Sequence, residues 1–237
     1  MIQVIKSSER HLSDHGWLKT RLHFSFADYH DPENMHWGAL RVFNDDVVQG
    51  GEGFGMHPHK DMEIVTVMLD GVLEHRDSLG NRGVVRPGEV QVMSAGRGIM
   101  HSEFNHEKDQ PLHLLQLWIF PRHKNLEPRW EQKEFPKAER AGKLLPVVTS
   151  LDANGSASGA LRIDQDAQIY LSELKPGEEV AHASRRERMP YLFVISGEVS
   201  LNGTPLAAGD QARISGEEKL HIRAEKDAEL ILLDLPE

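Results

Sequence analysis

The chain has 237 residues, with 27 Lys+Arg against 37 Asp+Glu for a formal net charge of −10; that length holds one large domain or two small ones and is ample for a buried core. Its 39% hydrophobic and 27% charged residues are those of a folded globular protein, no stretch reaches the ~18 consecutive apolar residues of a membrane span, and the acidic balance disfavours nucleic acid. Cysteine is absent, which excludes disulfides, thiolate metal sites and cysteine nucleophiles; with no apolar signal core in residues 1–10, a cytoplasmic protein is expected.

In chain order, a helical turn is expected near residues 8–14. From there the apolar pattern has period two, the signature of strands: Val65, Val67 and Leu69 alternate, as do Val90 and Val92, then Leu115, Leu117 and Ile119. The turns Asp70-Gly71, Ser78-Leu79-Gly80-Asn81 and Pro87-Gly88 separate these runs. Between Pro121 and Pro146 the chain is rich in proline and charge and poor in β-branched residues, which predicts a linker. A second helical turn is expected there over residues 128–133, with Pro128 at its start. Beyond it the pairs Leu192/Val194, Val199/Leu201 and Leu220/Ile222 alternate between the turns Ser196-Gly197, Asn202-Gly203 and Gly209-Asp210. Many short strands punctuated in this way predict an all-β protein of two barrels, over residues 1–130 and 146–237 with a linker at 131–145.

The two halves repeat. Gly71 and Gly88 are 17 residues apart, Gly197 and Gly209 are 12 apart, and the difference matches a longer turn around residues 75–81. From Gly88 to Ser94 and from Gly209 to Ser215 the spacing is six in both. Such repetition suggests two copies of one β unit.

Histidine is unevenly spread: of 14, only His182 and His221 lie beyond His123. Imidazole is the commonest side-chain metal ligand, so histidine chemistry is expected in the N-terminal half. Two segments there, His57-Pro58-His59 and His101-Ser102-Glu103, each set two potential ligands one residue apart. On a strand, residues i and i+2 share a face about 6.6 Å apart, a gap two side chains can close onto one ion. If both segments line one barrel, His57, His59, His101 and Glu103 converge as three nitrogens and one oxygen, leaving positions open for water, dioxygen or substrate. Pro58 favours extended geometry before it and removes a ladder donor, which predicts an edge strand or bulge. Glu63 has the parity to join His57 and His59 on an unbroken strand, and ligand and outer-layer roles both stay open for it. His75, His106, His113 and His123 are expected to be solvated or hydrogen-bonded, and Trp118 and Phe120 to be core. The glycine-rich run Gly50-Gly51-Glu52-Gly53-Phe54-Gly55 lacks dinucleotide-site spacing and is expected to rim the pocket.

The spacing of Gly51, His57, His59, Glu63 and Gly71 resembles the first cupin motif with one extra residue before the final glycine. Gly88, Ser94-Ala95-Gly96 and His101 resemble the second, with serine where proline is usual and a wider gap before the histidine. Together with His57-Pro58-His59, the turn from Glu74 to Asn81 and Leu117-Trp118-Ile119-Phe120-Pro121, these departures resemble the pirin family, most strongly over residues 37–128. The resemblance implies a bicupin of two packed jelly-roll barrels. It also implies one divalent transition metal in the first barrel, iron(II) ahead of copper, nickel, manganese or zinc, held by His57, His59, His101 and Glu103. The repeat sets Ala183, Arg185, Ile222 and Ala224 opposite those four, which predicts a metal-free second barrel. The activity implied is cleavage of flavonols such as quercetin by dioxygen with release of carbon monoxide, with Glu103 as the proton acceptor, in a monomer without nucleic-acid or membrane partners. The alternative is a redox-sensitive regulator that binds a transcription factor or metabolic enzyme as its protein partner.

Overall fold

A computed structural model describes residues 1–152 and 159–237. Three strands open the chain: β1 (Ile2–Ile5), β2 (His11–Asp14) and β3 (Leu18–Leu22). An eight-strand set follows, comprising β4 (Leu40–Val48), β5 (Gly53–His59), β6 (Glu63–Asp70), β7 (Leu73–Asp77), β8 (Arg82–Val85), β9 (Glu89–Ser94), β10 (Ile99–Asn105) and β11 (Leu112–Ile119). Between Pro121 and Pro146 lie β12 (Arg129–Glu134) and one helical turn, α1 (Lys137–Arg140). The second half holds β13 (Leu145–Ser150), β14 (Leu161–Ile163), β15 (Gln168–Leu174), β16 (Glu179–Ala183), β17 (Tyr191–Ser196), β18 (Glu198–Leu201), β19 (Thr204–Ala207), β20 (Gln211–Ile214), β21 (Lys219–Ala224) and β22 (Ala228–Asp234). Among the described residues no helix is long and apolar enough to cross a membrane.

The repeat read from glycine spacing is a repeat of topology. In the first half a four-stranded sheet, β5-β10-β7-β8, faces a larger one containing β9-β6-β11-β4; in the second, β16-β21-β18-β19 faces β20-β17-β22-β15. Strand for strand these are the same eight-stranded jelly roll. Each large sheet has seven strands: β12 extends the first at one edge and β3-β2 at the other, while β1 and β13-β14 extend the second. The amino-terminal strand therefore joins the distant sheet, with Gln3 opposite Arg213 and Ile5 opposite Gln211.

Both helical turns predicted from sequence fall elsewhere. Residues 7–9 form a single 3-10 turn and residues 11–14 are β2. Residues 129–134 are β12, whose ladder with β9 supplies partners that an isolated turn lacks. Its side chains alternate, Trp130 and Gln132 turned partly inward and Glu131 and Lys133 exposed, so period two outweighed the proline signal.

The two large sheets pack against each other. Phe43, Val65, Val67, Leu115 and Leu117 from the first meet Ile169, Leu171, Phe193, Ile231 and Leu233 from the second in one apolar core. The outer space of the second half is filled by a separate aliphatic core that includes Leu192, Val199, Leu230, Ile222 and Ala224. The outer space of the first half is only partly filled, and its open part is the pocket described below.

The paired glycines mark tight turns in both copies. Gly71 and Gly197 have φ of +75° and +80°, and Gly88 and Gly209 have +89° and +80°. This is the left-handed region that only glycine occupies without strain. A Cβ on Gly197 would also lie 1.9 Å from the Asp227 carbonyl oxygen. Gly197→Ala is expected to destabilise the fold by about 1–3 kcal/mol through backbone conformation alone, with the clash added, measurable as a lower urea midpoint.

Candidate metal centre

The pocket lies between the two sheets of the first half. It has a volume of about 340 Å³, and its lining includes His57, His59, His101, Glu103, Trp17, Phe54 and Trp118. Strand register brings the ligand candidates to one wall. His57 and His59 alternate along β5, and β10 sets His101 opposite His57 and Ile99 opposite His59. A bulge between His101 and Glu103 shifts the register so that Glu103 pairs with Phe54. As Pro58 predicts, β5 is an edge strand, bonded to β10 alone.

The three imidazoles form a triangle with ring centroids 4.4 Å apart for His57–His101, 4.8 Å for His57–His59 and 4.8 Å for His59–His101. One nitrogen from each lies within 4.8 Å of the others. Bonds of about 2.0–2.2 Å place two ligands up to roughly 4.2 Å apart around one ion, so a small inward movement completes the set. His57 Nδ1 lies 2.7 Å from the Gly55 carbonyl; it must donate there, which leaves Nε2 with a free lone pair. Among the described residues, His59 Nε2 and both His101 nitrogens are buried without any hydrogen-bond partner. Burial, reinforced by neighbouring imidazoles, pushes His59 down to about 4 and His101 to about 2. The His59 and His101 rings are therefore neutral at pH 7 with unused lone pairs, the state a cation requires.

Glu103 is held by a hydrogen-bond ring whose direction can be assigned. Trp130 Nε1 can only donate, and it donates to Gln91 Oε1 at 2.9 Å. Gln91 Nε2 is then the donor to Glu103 Oε1 at 2.5 Å. Thr66 Oγ1 donates to Gln116 Oε1 at 2.9 Å, and Gln116 Nε2 donates to Glu103 Oε2, also at 2.9 Å. Two amide donors thus fix the carboxylate as an acceptor. Burial nevertheless raises Glu103 to about 7, against the pull of both amides, and Asp46 adds to the rise.

His75, expected to be solvated or hydrogen-bonded, lies beside the ligand candidates, a placement that the sequence analysis did not foresee. It is fully buried on β7 directly opposite Glu103. Its ring stacks on Trp130 at 5.1 Å, its Nε2 lies 3.4 Å from Asp77 Oδ2, and its Nδ1 has no partner among the described residues. With His101 and Glu103 it forms a second group of potential ligand atoms, overlapping the three-histidine group at His101. The other three histidines are as expected: His106 pairs with Glu74, His113 with Asp45 and His123 with Asp164.

Glu63 does not join this wall. Asp61 has φ of +47° and breaks the strand between His59 and Glu63, so parity no longer carries across. Glu63 starts β6 in the large sheet, where it accepts a 2.5 Å bond from Ser94 Oγ and faces Arg129 at 4.0 Å. Trp118, expected to be core, is partly buried against the cluster of Ile64, Met93 and Ile99 and also lines the pocket, edge-on to His59 at 4.8 Å. Phe120 is 39% exposed, because the large sheet ends at Ile119.

The pirin family profile matches residues 5–119, and the profile of the quercetinase C-terminal cupin domain matches residues 148–235. The chain is 44% identical over 236 residues to quercetin 2,3-dioxygenase of Escherichia coli K12, covering 100% of this chain and 99% of that one. The chain belongs to the pirin family. It is also 46% identical over 222 residues to a pirin-like protein of Caulobacter vibrioides, covering 94% of each. The crystal structure of the bacterial pirin YhhW in complex with nickel(II), from Escherichia coli, superposes with a TM-score of 0.93 at 43% identity, over 100% of this chain and 99% of that one. The two jelly rolls are thus the two cupin domains of a pirin. In this pirin the residues that the repeat sets opposite His101 and Glu103, Ile222 and Ala224, are buried in the aliphatic core of the second domain.

Proposed function

We propose that His57, His59, His101 and Glu103 hold one divalent transition-metal ion, iron(II) first among the candidates, and that the adjoining pocket takes a flavonol and dioxygen. The observation that carries this reading is the set of buried imidazole nitrogens without partners on the wall of a roomy cavity. Unpaired buried polar atoms cost about 1–3 kcal/mol each, and one cation would satisfy several at once. The nickel(II) complex of a similar pirin supports a divalent ion in this fold.

The far wall supports a polyhydroxylated aromatic ligand. Trp17, Phe26, Phe54, Ile64 and Trp118 supply apolar faces. Between them Thr20, Asn44 and Asp46 present polar groups; among the described residues Asn44 Oδ1 is buried without a partner, an acceptor for a hydroxyl donor, and burial raises the Asp46 carboxyl to about 7 against a hydrogen bond from Thr20. A planar ring system with several phenolic groups fits both demands.

The bound ion would supply Lewis acidity at the flavonol 3-hydroxyl and a path for electrons to dioxygen. Glu103 accepts the 3-hydroxyl proton, and Gln91 and Gln116 hold its carboxylate toward that proton. His57, His59 and His101 present fixed nitrogen donors, His57 oriented by its bond to Gly55. The aromatic walls orient the flavonol and exclude water. Overall, each flavonol consumes one dioxygen and yields carbon monoxide and a depside.

Loss of flavonol absorbance in air, with dioxygen uptake and carbon monoxide measured together, tests the reading. Saturable turnover by iron-loaded protein supports it; redox-dependent capture of a protein partner without turnover would favour the regulatory alternative. Glu103→Gln keeps shape but removes the base, and is expected to lower kcat by about 10²–10⁴-fold.

A further inference from the structure

A second cavity, of about 220 Å³, lies at the seam between the two cupin domains. Gln3 of β1 and Gln211 and Arg213 of β20 form one side, and Arg10, Tyr29 and Asn34 the other. The site exists because the amino-terminal strand crosses to the second sheet and carries Arg10 with it. Nothing in the reaction proposed above uses these residues.

Two guanidinium groups are sunk in this seam, Arg10 at 6% and Arg213 at 8% exposure. A buried charge is costly unless it is paired, and the pairing here is incomplete. Arg213 donates to the His23 carbonyl at 3.2 Å and to Asn34 Oδ1 at 2.6 Å, and lies over the rings of Phe24 and Trp37. Among the described residues it has no carboxylate within 4.0 Å, and its Nε is buried without a partner. Arg10 donates to the Gly209 carbonyl and, at 3.3 Å, to Ser7 Oγ, but its nearest carboxylate among the described residues is Asp45 at 3.9 Å, already bonded to His113 at 2.6 Å. Arg10 Nε is likewise unpartnered.

A directed relay adds a third donor. Arg10 donates to His23 Nε2, so the neutral ring donates from Nδ1 to the Tyr191 hydroxyl, which donates in turn to Gln211 Oε1. His23 is kept neutral by burial, with Arg10 and Arg213 adding to the effect. Because Gln211 Oε1 is spent as an acceptor, its Nε2 is left as a donor with no partner among the described residues. Glu9 and Glu33 also line the cavity, but both are exposed to solvent, where water weakens their field, and Glu9 is bonded to the Lys6 backbone at 2.6 Å.

We propose that this seam cavity binds a small oxyanion, a carboxylate or a phosphate, between Arg10, Arg213 and the Gln211 amide. Guanidinium groups match the two-oxygen edge that both anions share. An anion there supplies the missing counter-charge and ties the amino-terminal strand to both domains.

Thermal denaturation of the full, metal-loaded chain tests the site, with sodium phosphate or sodium benzoate titrated against sodium chloride at fixed ionic strength and pH. A ligand that binds only the folded state raises the Tm. The expected result is a saturable rise with at least one of the two, its apparent affinity falling at least tenfold in Arg213→Gln. A rise with phosphate alone assigns a phosphate ligand, and a rise with benzoate alone a carboxylate. Arginine-selective labelling of the wild-type chain by phenylglyoxal, read by mass spectrometry, serves if that variant does not fold. The same anion should then protect Arg10 and Arg213 but leave Arg188, already paired with Asp234, unchanged. No saturable rise, a rise undiminished in Arg213→Gln, or labelling of Arg10 and Arg213 unaffected by the anion overturns the proposal.

Discussion

Replacing His59 by alanine is expected to abolish metal retention and flavonol loss together. His59 sits at one corner of the imidazole triangle, with a buried Nε2 that has no hydrogen-bond partner among the described residues. Removing it leaves two imidazoles and a carboxylate, and opens a path from the outer groove beside Pro58 and Met100, which His59 also lines. Substitutions one layer outside a metal site already cost 10–100-fold in affinity or activity, so loss of a ligand should exceed about 100-fold. Metal per chain by elemental analysis and turnover by absorbance should fall in parallel, without loss of the folded β spectrum by circular dichroism. Turnover retained in protein with no metal would refute the assignment.

Phe43→Ala is expected to cost about 3–5 kcal/mol, the range for deleting a buried aromatic ring. Phe43 is fully buried in the core shared by the two large sheets. It stacks on His23 at 4.3 Å and meets Phe193 edge-on at 5.2 Å, so the cavity left behind borders both domains. A domain of this size has about 5–15 kcal/mol in total, and the urea midpoint should fall markedly. All four tryptophans, Trp17, Trp37, Trp118 and Trp130, lie in the first half, so their fluorescence follows that half while circular dichroism follows both. The two transitions should coincide in the wild type and shift together in the variant. A shift in fluorescence alone would show that the shared core does not couple the domains.

Much of this molecule is legible in its sequence because strand geometry is local. Period-two runs such as Val65/Val67 and Leu115/Leu117 lie on the face between the large sheets, and the glycine spacing marks turns whose positive φ favours glycine. The pairs His57/His59 and His101/Glu103 could be read as shared faces for the same reason. What escaped the sequence depended on contacts between strands. Parity extended from His59 to Glu63 fails at Asp61, where one left-handed residue ends the strand. His75 was grouped with several scattered histidines, yet His75 and Asp77 have the same one-residue spacing as the ligand pairs, a signal that could have placed it on a strand facing them. The strand at residues 129–134 depends on its ladder to β9, formed 35 to 45 residues away in the chain. The crossing of β1 to the distant sheet leaves no trace in local pattern.

Crystals of the protein loaded with iron(II) or nickel(II), with diffraction recorded at the metal's absorption edge, test the central assignment most directly. One anomalous peak is expected in the pocket, about 2.0–2.2 Å from a nitrogen of each of His57, His59 and His101 and from an oxygen of Glu103. A peak elsewhere, or loaded crystals in which those four side chains point away from one another around solvent, would contradict it.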